Sequence, residues 1–165
     1  MIRVGQGVDV HPFDDARPLI LGGVRIAENG GLAGHSDADA VLHAVTDALL
    51  GAAGAGDIGQ YFPSTEERWR NADSTVFVRE AKRILDEMSA EISNLDITIV
   101  AQKPKLAAHR DAMVASVAKL LNLPQGHVNV KATTTDHLGF IGRGEGICAL
   151  AICIVILRVA KDPSI

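Results

Sequence analysis

Asp9 and His11 stand two residues apart in the run Gly7-Val8-Asp9-Val10-His11. On a strand, residues i and i+2 point to the same face, so this carboxylate and this imidazole reach one point. The pair suits a divalent metal, with zinc favoured by the nitrogen donor. The plainer reading of so short a pattern is a solvated Asp beside a half-buried His. His43 offers a third donor, flanked by Asp39 and Asp47 four residues to either side. That spacing is either a helix-face ion pair or a metal ligand whose other ring nitrogen is oriented by a neighbouring carboxylate. An Asp-His-His set leaves a fourth tetrahedral position open, which marks a catalytic rather than a structural zinc site.

Three further stretches carry chemistry. Gly34-His35-Ser36-Asp37 lies at the mouth of the helix that bears His43. A helix N-terminus suits an anion, and His35 and Ser36 add donors, although the same residues also make an ordinary N-cap. Lys131-Ala132-Thr133-Thr134-Thr135-Asp136 places three hydroxyls between a Lys and an Asp. Those groups suit phosphate oxygens and a hard cation such as magnesium, while threonine is also simply a good strand former. Gly139-Phe140-Ile141-Gly142-Arg143-Gly144-Glu145-Gly146 sets four glycines around one Arg and one Glu. No βαβ unit follows, so a dinucleotide fingerprint is excluded and a tight turn with an ion pair remains.

These residues need elements to hold them. A strand over 2–11 contains Gly5 and Gly7. Leu19-Ile20-Leu21, Gly22-Gly23 and Val24-Arg25-Ile26 read as a tight hairpin, since a Gly-Gly pair supplies the positive φ such turns need. A glycine-rich loop over 28–34 follows, and His35-Ser36-Asp37 supplies caps for a helix over 39–53. In that helix Val41, Val45, Ala48 and Leu49 form one face, and Asp39, His43 and Asp47 another. Residues 54–59 break the helix, and Phe62-Pro63-Ser64-Thr65 is loop. Asp73-Ser74 caps a second helix over 74–88, with Val78, Ala81, Ile84 and Leu85 inward. A strand over 95–101, a connector, a helix over 108–121, a strand over 128–134 and a long strand over 147–159 complete the order β-β-β-α-α-β-α-β-β. The expected architecture is one α+β domain over 1–165, a mixed β-sheet with helices layered on one face.

The 165 residues are 47% apolar and 22% charged, which excludes disorder. Aromatics are only 4% and glycines number 16, so the core is expected to be built of small and branched aliphatics. A net charge of −4 argues against a nucleic-acid module. Cys148 and Cys153 fall on opposite faces of one strand and are expected as unbridged thiols in a reducing compartment. The start, Met1-Ile2-Arg3-Val4-Gly5-Gln6, has no signal-peptide core, and the longest apolar run is too short to span a bilayer. The expectation is a cytoplasmic protein with no membrane or nucleic-acid partner.

Taken together the chain resembles the 2-C-methyl-D-erythritol 2,4-cyclodiphosphate synthase family of the non-mevalonate isoprenoid pathway. The matching stretches are Gly7-Val8-Asp9-Val10-His11, Gly34-His35-Ser36-Asp37-Ala38-Asp39, the run 42–52 around His43, and Gly56-Asp57-Ile58-Gly59 with Phe62-Pro63. Lys131-Ala132-Thr133-Thr134-Thr135, Gly139-Phe140 and Gly142-Arg143-Gly144-Glu145-Gly146 follow in family order.

The resemblance implies an enzyme, a metal-dependent phosphorus–oxygen lyase. Its substrate would be 4-diphosphocytidyl-2-C-methyl-D-erythritol 2-phosphate, whose 2-phosphate attacks the β-phosphorus, releasing CMP and closing 2-C-methyl-D-erythritol 2,4-cyclodiphosphate. It implies Zn2+ on Asp9, His11 and His43, and Mg2+ or Mn2+ bridging the phosphates with help from Asp136. His35 and Thr134 match the transition-state stabilisers. Substrate contacts are implied at Asp9, Val10, His11, His35 and Ser36, at Asp57, Ile58 and Gly59, and at Phe62, Pro63, Ser64, Thr65 and Glu66. The cytidine pocket matches Ala101, Gln102, Lys103, Pro104, Lys105, Leu106 and Ala107. Thr133, Thr134, Thr135, Asp136, Phe140 and Arg143 complete the set. A homotrimer is implied, with active sites between subunits and an apolar channel that would take an isoprenoid diphosphate near Arg143 and Glu145.

Phosphoryl transfer needs positioning and charge neutralisation more than covalent groups, and an intramolecular attack needs no side-chain nucleophile. The sequence departs from the family pattern at Asp136, where Glu is usual, at Ser64-Thr65-Glu66, where Asp-Thr-Asp is usual, and at Ile141, where Thr is usual. Two alternatives are a zinc phosphohydrolase using the same Asp-His-His set and a non-enzymatic trimeric binder of isoprenoid diphosphates.

Overall fold

In the computed structural model, which describes residues 1–158, the first element is a 13-residue strand, β1 (Ile2–Asp14). It outruns its predicted end at His11 because its last residues, Phe13 and Asp14, find partners of their own in β4 (Gly31–Leu32). The expected hairpin forms from β2 (Leu19–Leu21) and β3 (Val24–Ala27). Gly22 and Gly23 turn it with φ of 62° and 73°, the left-handed pair such a turn requires.

The helix α1 (Ala40–Ala53) follows, capped by Asp39, whose side chain accepts from the Leu42 N–H. The segment 35–37 therefore lies ahead of the helix and does not cap it, contrary to expectation. α1 is also not a two-faced surface helix: every residue except Asp47 and Gly51 is buried. A short turn, α2 (Ile58–Tyr61), leads through a loop to α3 (Thr75–Glu87), with Phe77, Val78, Ala81 and Leu85 buried. Strand β5 (Ala90–Val100) starts five residues before its predicted onset and carries a bulge between Ile92 and Asn94. Helix α4 (Arg110–Leu121) links it to β6 (Val128–Thr133), and a single turn, α5 (Gly139–Gly142), precedes β7 (Gly146–Leu157). Val159, the predicted end of the last strand, lies outside the described residues.

The main sheet has the order β4-β1-β7-β5-β6. β5 and β6 run parallel, as their helical crossover demands, and the other pairs are antiparallel. One face of the sheet packs on the helices through residues such as Ile97, Ile99, Ala149, Ala151 and Val155, all fully buried. The expected mixed sheet with helices on one face is what forms. The opposite face has no covering element among the described residues and exposes Val4, Val8, Val10, Ile152 and Ile156. Cys153 is buried on the helical side, its Sγ donating to the Ala48 carbonyl at 3.1 Å. Cys148 sits half-buried five residues earlier on the other face, and both thiols are free.

Candidate metal centre

The site begins with the two strand glycines. Gly5, Gly7, Asp9 and His11 alternate along one face of β1, and α1 lies directly across it. A Cβ on Gly5 would stand 1.8 Å from the Ala48 carbonyl oxygen, and one on Gly7 1.9 Å from that of Ala44. No side chain fits between strand and helix there, so backbone rests on backbone. His43, next to Ala44, is carried down to the level of Asp9 and His11.

The three donor atoms meet. Asp9 Oδ2 is 2.9 Å from His11 Nε2 and 3.2 Å from His43 Nδ1. The two ring nitrogens are themselves 3.2 Å apart. A zinc tetrahedron with bonds near 2.0–2.1 Å has ligand atoms about 3.3 Å from one another, so this triangle is close to the size of one tetrahedral face. The hydrogen bonds behind each ring decide what points into it. His11 Nδ1 donates to the Ala33 carbonyl at 2.6 Å, which leaves the lone pair of Nε2 facing inward. His43 Nε2 lies 2.9 Å from Ser74 Oγ and 3.1 Å from Ser36 Oγ. The Ser74 hydroxyl donates to Asp37 Oδ1, so its oxygen accepts from Nε2–H and Nδ1 keeps its lone pair. Asp9 Oδ2 is itself buried with no hydrogen bond. Three lone pairs about 3 Å apart repel one another unless a cation stands between them, and this donor set fits a divalent metal.

A proton is the other cation that fits. Burial works to raise the Asp9 carboxyl, but His11 and His43 outweigh it and hold it well below the usual carboxylate range. Burial likewise works to lower His11, but the Asp9 carboxylate and the Ala33 carbonyl push it above an ordinary imidazole.

The expected helix-face partners of His43 are employed elsewhere. Asp39 is fully buried and accepts from Gly22 N, Gly23 N and Leu42 N at 2.9, 2.7 and 3.0 Å, tying the hairpin to α1. Burial pushes its carboxyl up to about 6, against the three backbone hydrogen bonds. Asp47 accepts from Ile58 N at 2.7 Å. Ser74 was missed as a functional residue because, beside Asp73, it read as a helix cap. Of the two readings of the segment before α1, the cap falls to Asp39, which takes the Leu42 N–H, while His35 and Ser36 line the cavity beside the triad.

A cavity of about 240 Å³ opens from the triad, lined also by His35, Ser36, Ile58, Gly59, Phe62 and Ser64, with Trp69 and Phe77 as an aromatic wall. Two larger grooves, of 460 and 540 Å³, lie away from the triad and hold none of its ligands. His35 Nε2 lies 3.1 Å from the Glu66 carbonyl, and Asp57 caps α2 through Gln60 N at 3.0 Å. Pro63, Thr65 and Glu66 belong to the same loop but do not line the cavity. Val10 points to the opposite sheet face.

The remaining predicted residues gather elsewhere. Ala101–Ala107 and Thr133–Asp136 leave the C-terminal ends of the parallel strands β5 and β6 side by side, joined by Ala101 N to the Thr133 carbonyl at 3.0 Å and His137 N to Gln102 Oε1 at 3.3 Å. Leu106 and Ala107 border a separate groove of about 260 Å³ with Lys131 and Ala132. Lys131 is ion-paired with Asp96 rather than set beside the three threonines. Arg143 and Glu145 form the expected pair at 2.6 Å. None of this second group lines the metal cavity within one chain.

The model for the YgbB family matches residues 2–156. The chain belongs to the YgbB family. A relative named 2-C-methyl-D-erythritol 2,4-cyclodiphosphate synthase, from Geobacillus sp. (strain WCH70), is 53% identical across 94% of this chain and 98% of its own length. Among solved YgbB-like structures, a bifunctional enzyme from Campylobacter jejuni aligns with a TM-score of 0.93 and 44% identity. That alignment covers 96% of this chain but 43% of the Campylobacter chain, so this chain spans under half of that protein. A Plasmodium falciparum structure in complex with CDP aligns with a TM-score of 0.84 and 34% identity, covering 96% of this chain and 97% of that one.

Proposed function

We propose that this chain cyclises 4-diphosphocytidyl-2-C-methyl-D-erythritol 2-phosphate to 2-C-methyl-D-erythritol 2,4-cyclodiphosphate and CMP. An oxygen of the substrate's 2-phosphate forms the new bond to the β-phosphorus, and the bond from that phosphorus to the CMP oxygen breaks. The observation that carries the reading is the Asp9-His11-His43 triangle with its lone pairs facing one another. The reaction gathers a diphosphate and a monophosphate, and such a centre supplies charge neutralisation in an acidic protein without a broad basic patch.

Nitrogen donors and an open fourth position favour Zn2+ at the triad, where it would polarise a diphosphate oxygen. Mg2+ or Mn2+ would bridge the phosphates near the exposed Asp136, whose carboxylate is a hard oxygen donor of the kind such ions take. His35, at the cavity wall, and Thr134 would hold charge that develops on the phosphoryl oxygens. Asp57, Ile58 and Gly59, with the loop from Phe62 to Glu66, would hold the methylerythritol, and Ala101 to Ala107 the cytosine. Arg143 and Phe140 would border the phosphates.

Within one chain the metal cavity and the 101–107 and 133–136 group lie apart, which supports a homotrimer whose sites are completed by a neighbour. The uncovered sheet face, with Val4 62%, Val8 49% and Ile152 45% exposed, supports the same assembly and an apolar channel able to take an isoprenoid diphosphate. No described helix is long and apolar enough to cross a membrane, and we place the enzyme in the cytoplasm. Incubation with the diphosphocytidyl substrate, zinc and magnesium, followed by phosphorus NMR, tests the reaction. The cyclic diphosphate and CMP are expected; inorganic phosphate or an open-chain product would identify a phosphohydrolase instead.

A further inference from the structure

We infer that Ser74 and Asp37 are positioning residues for the metal centre, a two-residue relay that locks His43 in the ring state able to bind the ion. The inference rests on the metal-centre reading above.

Ser74 occupies the N-cap position of α3 and is fully buried. A serine there normally accepts a hydrogen bond from its own helix. This one makes no such bond. Asp73 Oδ1 takes the Thr75 N–H instead, at 2.8 Å, and the Ser74 hydroxyl turns toward His43. Its direction is set from behind. Asp37 grips Ser74 twice, through the hydroxyl to Oδ1 and through Ser74 N to Oδ2 at 3.0 Å. Because the hydroxyl proton goes to Asp37, the oxygen is left as an acceptor 2.9 Å from His43 Nε2. Nε2 must then carry the proton, and Nδ1 must be bare.

Asp37 is held in turn. Its N–H donates to the Ala72 carbonyl at 3.0 Å, and Asn71 N donates to the His35 carbonyl at 2.7 Å. These bonds stitch the segment before α1 to the segment before α3. The relay therefore passes the placement of α3 to a ligand on α1. Phe77, one turn into α3, adds a ring 5.8 Å from the His43 ring. The opposite tautomer would aim an N–H at Asp9 Oδ2 and His11 Nε2 and close the triangle to a metal. Ser36 Oγ, at 3.1 Å and already accepting from Ala38 N, is the weaker support. Hydrogen-bond partners behind ligating histidines typically change metal affinity by about 10–100-fold.

The test uses the full chain and zinc alone. Zinc dissociation constants are measured by competition with a chromophoric chelator, and the His43 tautomer by nitrogen-15 NMR of the metal-free protein. Wild type is expected to bind one zinc per chain and to show Nε2–H; no stoichiometric zinc in wild type would overturn the metal-centre reading itself. Ser74→Ala is expected to weaken zinc about 10–100-fold and to move the His43 signals toward a tautomer mixture. Ser74→Thr, which keeps the hydroxyl, is expected to restore both. A folded Ser74→Ala protein with wild-type zinc affinity and an unchanged tautomer would overturn the relay while leaving the metal centre standing. If Ser74→Ala does not fold, Asp37→Asn decides: it keeps one acceptor for Ser74, a several-fold loss supports the relay, and wild-type affinity overturns it.

Discussion

Gly7 and the Ala44 carbonyl are in backbone-to-backbone contact, so close that a methyl group on Gly7 would stand 1.9 Å from the oxygen. This contact sets the height of α1 above β1 and so brings His43 within reach of Asp9 and His11. Gly7→Ala must push the helix away, an overpacking cost of about 1–3 kcal/mol or more. The expected result is a midpoint lower by roughly 2–4 °C for each kcal/mol and a weakened metal site. Thermal unfolding and zinc titration on the same variant check both; an unchanged zinc affinity would show that the glycine serves packing alone.

His43→Ala removes one corner of the donor triangle. The variant is expected to stay folded, to lose stoichiometric zinc and to lose turnover. Trp69 is the sole tryptophan, and it connects to His43 through Phe77 by ring-to-ring steps of 5.8 and 5.9 Å. Trp69 also lines the triad cavity, so its emission is expected to change on adding zinc to wild type and to stay unchanged on adding zinc to His43→Ala. Retained zinc with full turnover would refute the ligand assignment.

Protons and metal ions compete for the same gap, which gives the two forms opposite pH behaviour. Asp9 raises the folded-state pKa of His11 above the ordinary imidazole value. In metal-free protein this contribution to stability is fully present below about pH 6.5, the unfolded value, and is lost as pH rises through the folded pKa. Zinc needs His11 unprotonated, so the stabilisation it adds should grow over the same interval. Unfolding midpoints from about pH 6 to about pH 8, with chelator or with zinc, should diverge as pH rises. Parallel curves would contradict the competition.

Asp39 is a structural carboxylate. Its removal leaves Gly22, Gly23 and Leu42 with buried or half-buried N–H groups. Each such loss costs about 1–3 kcal/mol, so Asp39→Ala should cost at least ~3 kcal/mol, read as a lower denaturant midpoint. A loss under about 1 kcal/mol would mean that water replaces the carboxylate.

Asp136→Glu lengthens the exposed carboxylate by one methylene. It is expected to lower the magnesium or manganese concentration needed for half-maximal activity several-fold. Superimposable metal titrations would show that position 136 does not hold the second ion.

The ligands were legible because their spacing obeys a local rule: Asp9 and His11 share a strand face by parity alone. The hairpin was legible for the same reason, since Gly22-Gly23 encodes its turn locally. What sequence alone misassigned depended on contacts between distant segments. Asp39 and Asp47 read as partners of His43 because they share its helix, yet Asp39 binds the hairpin and Asp47 binds Ile58. Ser74 read as a cap because caps are common at such positions, whereas its partners are Asp37 and His43, 37 and 31 residues away. The burial of α1 on nearly all sides was hidden by the three polar residues on one of its faces.

The triad draws its shape from regular elements rather than from loops: two ligands ride on β1 and one on α1. Zinc fingers, which fold only with their metal, make a useful contrast. Here the ladder between β1 and β7 and the glycine contact with α1 define the donor triangle before any ion arrives. Side-chain exposures of 25% for Asp9, 16% for His11 and 11% for His43 leave a way in from solvent. Folding therefore does not wait for the metal, which adds its stability to a chain that is already folded. An ion held there would enter and leave through that opening while the chain stays folded, so loading after synthesis needs no unfolding of either element that carries a ligand.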